Sequence, residues 1–148
     1  MATNRLQGLK VMVIIMLILL GLQYEFGMAV NLATQPSLAP FGFSMNGVIH
    51  ALNQIGAVAV IHASLGSALV VIALISLIIS LRSGLRSLQV FGSLAFLTIL
   101  LAAVTGLLYT LSGFQNNGDT HGMATNFLLS FTFYFLELYF LKPIRLAA

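Results

Sequence analysis

The 148 residues are 59% hydrophobic and 6% charged, with a mean hydropathy of +1.06; soluble chains carry roughly a quarter charged residues, so a water-soluble globular domain is excluded. The formal net charge of +3 comes from basic residues that fall in pairs beside apolar runs, a pattern that speaks against nucleic-acid binding. Cysteine is absent, which excludes disulfides, iron–sulfur clusters and thiolate ligands.

In chain order, Arg5 and Lys10 precede the apolar run Val11–Leu22, and small residues follow near Ala29 and Ala33. The layout imitates a secretory signal peptide, but Leu9–Leu32 as a whole has the roughly 20 residues a helix needs to cross a bilayer, and it is read as a retained span. Position 2 is Ala, not Gly, so no myristoylation motif is present. The next stretch, Thr34–Gln54, holds Pro36, Pro40 and several Gly and Ser. It reads as an irregular loop whose later part, Gly47–Gln54, forms an interfacial helix or an outward extension of the following span.

The second span, Ile55–Leu81, has no Asp, Glu, Lys or Arg, yet it holds His62. Ala59, Ala63 and Ser67 recur at four-residue intervals, a spacing that lets helix backbones approach closely in lipid. Arg82 and Arg86 join it to a third span, Leu88–Leu111, where Ala102, Ala103 and Gly106 cluster. The polar turn Ser112–Thr120 follows, with Asp119 or Thr120 placed to cap the next helix. The fourth span, His121–Leu141, is rich in Phe and Tyr that fill the bundle or face lipid. Its Glu137 lies five residues before Lys142 and is expected to pair with Lys10, Arg82 or Lys142.

Segments this apolar must be helices, because unpaired backbone is intolerable in lipid. The fold class is therefore all-α: an integral membrane, antiparallel four-helix bundle forming one domain over residues 1–148. With four spans, the pairs Arg5/Lys10, Arg82/Arg86 and Lys142/Arg145 fall on one side, which the positive-inside rule makes cytoplasmic. Both termini are then cytoplasmic, and the expected location is a prokaryotic plasma membrane.

An ionisable residue inside a span is a functional-site hypothesis by default. His62 lies 20 residues from Arg82 and His121 lies 21 from Lys142, about 30 and 32 Å along their helices. The imidazoles are nearly level on the outer side, with Glu25 somewhat deeper. Three readings follow. In the first, His62 and His121 are axial ligands of a b-type heme used in electron transfer. Gly66 and Gly122 leave room for the porphyrin, and Glu25 or Thr105 orients an imidazole. In the second, His50, His62 and His121 bind a metal together with Asp119 or Glu25, although no HxxxH or ExxH pair is present. In the third, His62 hydrogen-bonds Glu25, Tyr109 or Asn126 as interhelical glue, and the chain is an accessory or assembly subunit of a larger membrane complex. No P-loop, GxSxG, HExxH or nucleic-acid motif occurs.

With a histidine on the outer half of the second helix and another on the fourth, the chain resembles one half of the heme A synthase family and, more loosely, four-helix b-type cytochromes. The family's paired ligands map onto His62 and His121. Its glutamate three residues before the helix-two histidine is Ala59 here, and its following basic residue is Ala63. The resemblance thus implies heme binding rather than heme-methyl oxidation. Expected partners are the lipid bilayer, a membrane redox partner or larger complex, and a further copy of the chain.

Overall fold

The structure is a computed structural model and describes residues 2–33 and 44–141. Pro36, Pro40, Lys142 and Arg145 lie outside the described residues. Within them the chain is all-helical: α1 (Ala2–Ala33), α2 (Met45–Ile55), α3 (Ala57–Leu81), α4 (Arg86–Leu111) and α5 (Asn117–Leu141). All but α2 are long and apolar enough to cross a membrane.

The long helices form a ring in which α1 and α4 are each packed against both α3 and α5. Gln23 and Gly27 of α1 meet His62 and Gly66 of α3, so rising numbers on one helix meet falling numbers on the other and the two run antiparallel. Lys10, Arg82 and Arg86 gather at one end of the ring, here called the basic end. The core runs from that end through Leu9, Val13, Met16 and Leu20 of α1, Leu69 and Ala73 of α3, Leu88, Ala95 and Ile99 of α4, and Tyr134 and Leu141 of α5. These positions recur at three- and four-residue spacing, as one buried face of a helix requires. The opposite faces expose Val11, Ile18, Val71, Ile75, Leu97, Val104, Leu128 and Phe135. Large apolar side chains over so much of the surface belong in a non-aqueous solvent.

Short connections hold the ring. Between α3 and α4, Gly84 takes a φ of 74°, and the Gln89 side chain donates to the Leu81 carbonyl at 3.0 Å. That bond satisfies one of the carbonyls left open at the end of α3. The α5 start lies earlier than Asp119 or Thr120: Asn116 provides the cap, its Oδ1 accepting from Gly118 N at 3.0 Å and its carbonyl from Asp119 N at 3.1 Å. Asp119 sits instead in the first turn, where a carboxylate suits the positive end of the helix dipole.

Of the two alternatives for Gly47–Gln54, the described residues show the separate helix, which begins at Met45; residues 34–43 lie outside them. Ser44 caps α2 by accepting from Gly47 N. Gly56 then ends it with φ 94° and ψ −163°, a conformation open almost only to glycine. The break lets α2 leave the α3 axis and lie over α3 and α4 at the far end of the ring. There Ala51 packs with Tyr109 and Phe114, whose rings meet edge to face at 5.3 Å. A Cβ at Gly56 would meet no neighbour within 4 Å, so only the backbone forbids it. Gly56→Ala should therefore destabilise the protein by about 1–3 kcal/mol, or fuse α2 and α3 into one straight helix. Thermal unfolding in detergent micelles reads the first outcome, and protease sensitivity of α2 reads the second.

Candidate functional site

Two groups of polar side chains lie inside the ring, one toward each end. At the far end His62 is half-buried. It falls on the same face of α3 as Leu69, Ala73, Ser76 and Ser80, which the helical repeat places within one narrow sector. Its Nε2 lies 3.3 Å from Gln23 Nε2 on α1, and its Nδ1 is buried without a hydrogen-bond partner. The ring rests on Gly27: a Cβ there would come within 3.0 Å of His62 Cε1. One turn below, Gly66 makes the same kind of room for Gln23 Nε2, again at 3.0 Å. Glycines thus admit a polar side chain from the facing helix on both α1 and α3. Gly106 and Gly122 do the corresponding service for Met123 and Thr105 between α4 and α5.

The other residues expected at this site lie elsewhere. Glu25 and His121 are both exposed. On α5, His121 points about 160° away from Glu137, which is buried, so the His62 and His121 rings do not face one another. The α5 side chain that does point inward at this level is Met123, whose sulfur lies against Gly106. His50 is exposed on α2, 3.1 Å from Gln54. Among the described residues, no group of three His, Asp or Glu side chains comes together to hold a metal ion. The partner of His62 is Gln23, not Glu25, Tyr109 or Asn126.

Toward the basic end the arrangement is tighter. Glu137 of α5 is 0% exposed and accepts a hydrogen bond at Oε1 from the Ser80 hydroxyl of α3. Ser80 Oγ also lies 2.9 Å from the Ser76 carbonyl. Tyr134, one turn before Glu137, places its hydroxyl beside Ser76 and within the field of the carboxyl. Glu137 Oε2, Ser76 Oγ and the Tyr134 hydroxyl are nonetheless buried without hydrogen-bond partners. The expected pairing with Lys10 or Arg82 is not made, since both side chains are exposed; Lys142 lies outside the described residues. Further along α5, Ser130 Oγ lies 2.9 Å from Thr98 Oγ1 of α4 and 2.7 Å from the Asn126 carbonyl.

Gly92 of α4 makes the Glu137 cluster possible. A Cβ at that position would lie 2.8 Å from Ser80 Cβ, 2.9 Å from Ser80 Oγ and 3.2 Å from Glu137 Oε1. The three helices converge there. The signal for the cluster was available in the sequence: Asn126, Ser130, Tyr134 and Glu137 follow i, i+4, i+8, i+11, and Ser76 and Ser80 follow i, i+4. Both patterns mark a single face of a helix.

Comparison with protein-family models, curated proteins and solved structures finds no match.

Gly92→Ala should push α4 away from α3 and α5, because Ser80 Cβ has no flexible end that can yield. Overpacking of this kind costs about 1–3 kcal/mol. The loss should show as a lower unfolding midpoint in detergent, whereas Gly8→Ala, with nothing within 4 Å of its added Cβ, should leave the midpoint unchanged.

Proposed function

We propose that this chain is an integral membrane protein with both termini in the cytoplasm, serving as an accessory subunit within a larger membrane assembly. The orientation rests on Lys10, Arg82 and Arg86 gathering at one end of the ring, which the positive-inside rule assigns to the cytoplasm. The interior supports a holding role. Side-chain hydrogen bonds join α1 to α3 through Gln23 and His62, α3 to α5 through Ser80 and Glu137, α4 to α5 through Thr98 and Ser130, and α4 to α3 through Gln89. Each ties a different pair of helices.

The observation that carries the assembly is on the outside. Ala57, Ser64, Ser67 and Ala68 are all exposed on the outward face of α3, with Val60 a larger side chain among them, in the half of the helix away from the arginines. Lipid-facing surface elsewhere on the ring carries large side chains such as Val71, Ile75 and Leu128. A strip of small residues gives lipid little to pack against and gives a second transmembrane helix a close approach. The hydroxyl of Ser67 is already returned to the Ala63 carbonyl at 2.9 Å, so the strip presents small shape rather than unmet polarity.

Solubilised gently from its native membrane, the chain should migrate on a native gel well above its own 15.9 kDa. The pair Ser64→Leu and Ala68→Leu should release it from the complex while leaving its own unfolding midpoint in place. Migration of the unaltered chain as a monomer, or indifference to the leucine pair, would refute the reading.

A second reading, b-type heme binding for electron transfer, is favoured by one feature. His62 is the inward-facing imidazole among the described residues, with Nδ1 buried and unpartnered and glycines on both flanking helices. These residues would suit one axial ligand, His62, while the room at Gly27 and Gly66 is taken by the His62 ring and the Gln23 side chain. They do not assemble the pair with His121. A heme there would supply one-electron transfer. Protein made with ample heme should then show a Soret band and a sharp reduced α band, both lost in His62→Ala; their absence from the unaltered protein rejects heme.

A further inference from the structure

We propose that Glu137, Ser76, Ser80 and Tyr134 form a buried binding site for a small monovalent cation, a proton or Na⁺, at the basic end of the ring. The inference goes beyond the accessory role and does not depend on it. It starts from a shortage of protons. Ser80 Oγ has one hydrogen and two acceptors within reach, the Ser76 carbonyl at 2.9 Å and Glu137 Oε1. Glu137 Oε2 has no donor at all. With the carboxyl ionised, two acceptors compete for one hydrogen and a second carboxylate oxygen is stranded in an apolar interior, where an uncompensated charge is very costly.

A bound cation resolves both deficits. A proton on the carboxyl can be donated to Ser80 Oγ, which then donates to the Ser76 carbonyl; two acceptors no longer compete for one hydrogen, and Oε2 no longer carries charge. Na⁺ would instead be met by the carboxylate together with the hydroxyl oxygens of Ser76, Ser80 and Tyr134. Two of those hydroxyls, Ser76 and Tyr134, are each 1% exposed and lack partners. All the donors are oxygen, the choice of hard cations. One carboxylate balances one positive charge; a divalent ion would leave a net charge buried.

The helices add to this preference. α3 ends at the basic end, at Leu81, so the partial negative charge of its C-terminus lies beside Ser80 and the carboxyl. That field opposes an unaccompanied anion and favours a cation. Among the described residues the charged groups of the surrounding elements do not supply one: Lys10 of α1, Arg82 following α3 and Arg86 of α4 are exposed. Tyr134 is the remaining titratable group that faces the carboxyl, and the other acids and histidines of the described chain, Glu25, His50, His62, Asp119 and His121, belong to the far half of the ring or to α2. Ser80, which bonds the carboxyl, lies one residue before the end of α3, so an ion entering from the basic end has a short path.

The test uses dicyclohexylcarbodiimide, an apolar reagent that modifies protonated carboxyls in apolar surroundings, on the whole protein in detergent or lipid, with adducts located by peptide mass spectrometry. Glu137 should be labelled, and its labelling rate should fall as pH rises from 5 to 9. If Na⁺ slows labelling at a fixed pH while K⁺ and choline at equal ionic strength do not, the site accepts Na⁺ in competition with the proton. If Na⁺ has no effect but the pH dependence holds, the site is a proton site. Tyr134→Phe and Ser76→Ala should each weaken Na⁺ protection, or displace the pH midpoint, by about threefold to tenfold, the worth of one hydrogen-bonding oxygen. Glu137→Gln should abolish the adduct and, where it folds, keep the unfolding midpoint near that of the unaltered protein. No labelling of Glu137, or labelling indifferent to both pH and Na⁺, overturns the proposal. So does an unchanged profile in both Tyr134→Phe and Ser76→Ala, which would leave Glu137 as interhelical glue alone.

Discussion

The convergence of three helices at Gly92 is the constraint on which the basic half of the ring depends. Because that residue has no side chain, α4 lies directly against Ser80 and Glu137, and the carboxyl is fully buried. Under the membrane reading, packing gains nothing from expelling water, so helices associate through close contact and a few interhelical hydrogen bonds. At Gly92 the two coincide. The backbone approach that provides the contact also buries the group that makes the bond to α3. Around this point the core residues Leu88, Ala95, Tyr134 and Leu141 complete a conventional apolar interior.

Away from that point the interior is built on a different plan. The far half relies on glycines of all four long helices to admit Gln23, His62, Met123 and Thr105, long or polar side chains rather than a packed aliphatic core. A short helix set off by Gly56 covers this half over α3 and α4, with Tyr109 and Phe114 beneath it. One molecule thus has two interiors. The half near the arginines is dense and holds one fully buried acid; the half beneath α2 is looser and holds one half-buried imidazole.

Much of this was legible in the sequence. Apolar runs of helical length marked the four long helices, because nothing but a helix satisfies the backbone over so many consecutive apolar positions in lipid, although α1 begins at Ala2, seven residues before the run at Leu9. His62 stood out because its neighbours are uniformly apolar. What counting along the chain leaves out is direction around the helix axis. Depth along a helix can be counted from its ends, and counting made His62 and His121 level; rotation separates them, since His121 lies on the outward side of α5 and His62 on the inward side of α3. The same omission hid Glu137. Its nearness to Lys142 in the chain suggested an ion pair at the surface, whereas its angular register with Tyr134, Ser130 and Asn126 turns it inward. The break at Gly56 was not legible either, because a single glycine in an apolar run is as compatible with a continuous helix as with a corner.

The polar face of α5 bears on how the molecule is made. Its most apolar window has a mean hydropathy of 1.3, against 2.0, 2.5 and 2.2 for α1, α3 and α4, and the deficit comes from the residues that contact the other helices. Alone in a bilayer, α5 would present Asn126, Ser130 and Glu137 to hydrocarbon. Beside α3 and α4, already synthesised, it finds Thr98 and Ser80 waiting. Under the membrane reading α5 is the long helix least able to enter lipid unaided, so its integration follows that of α3 and α4, which act as its chaperone.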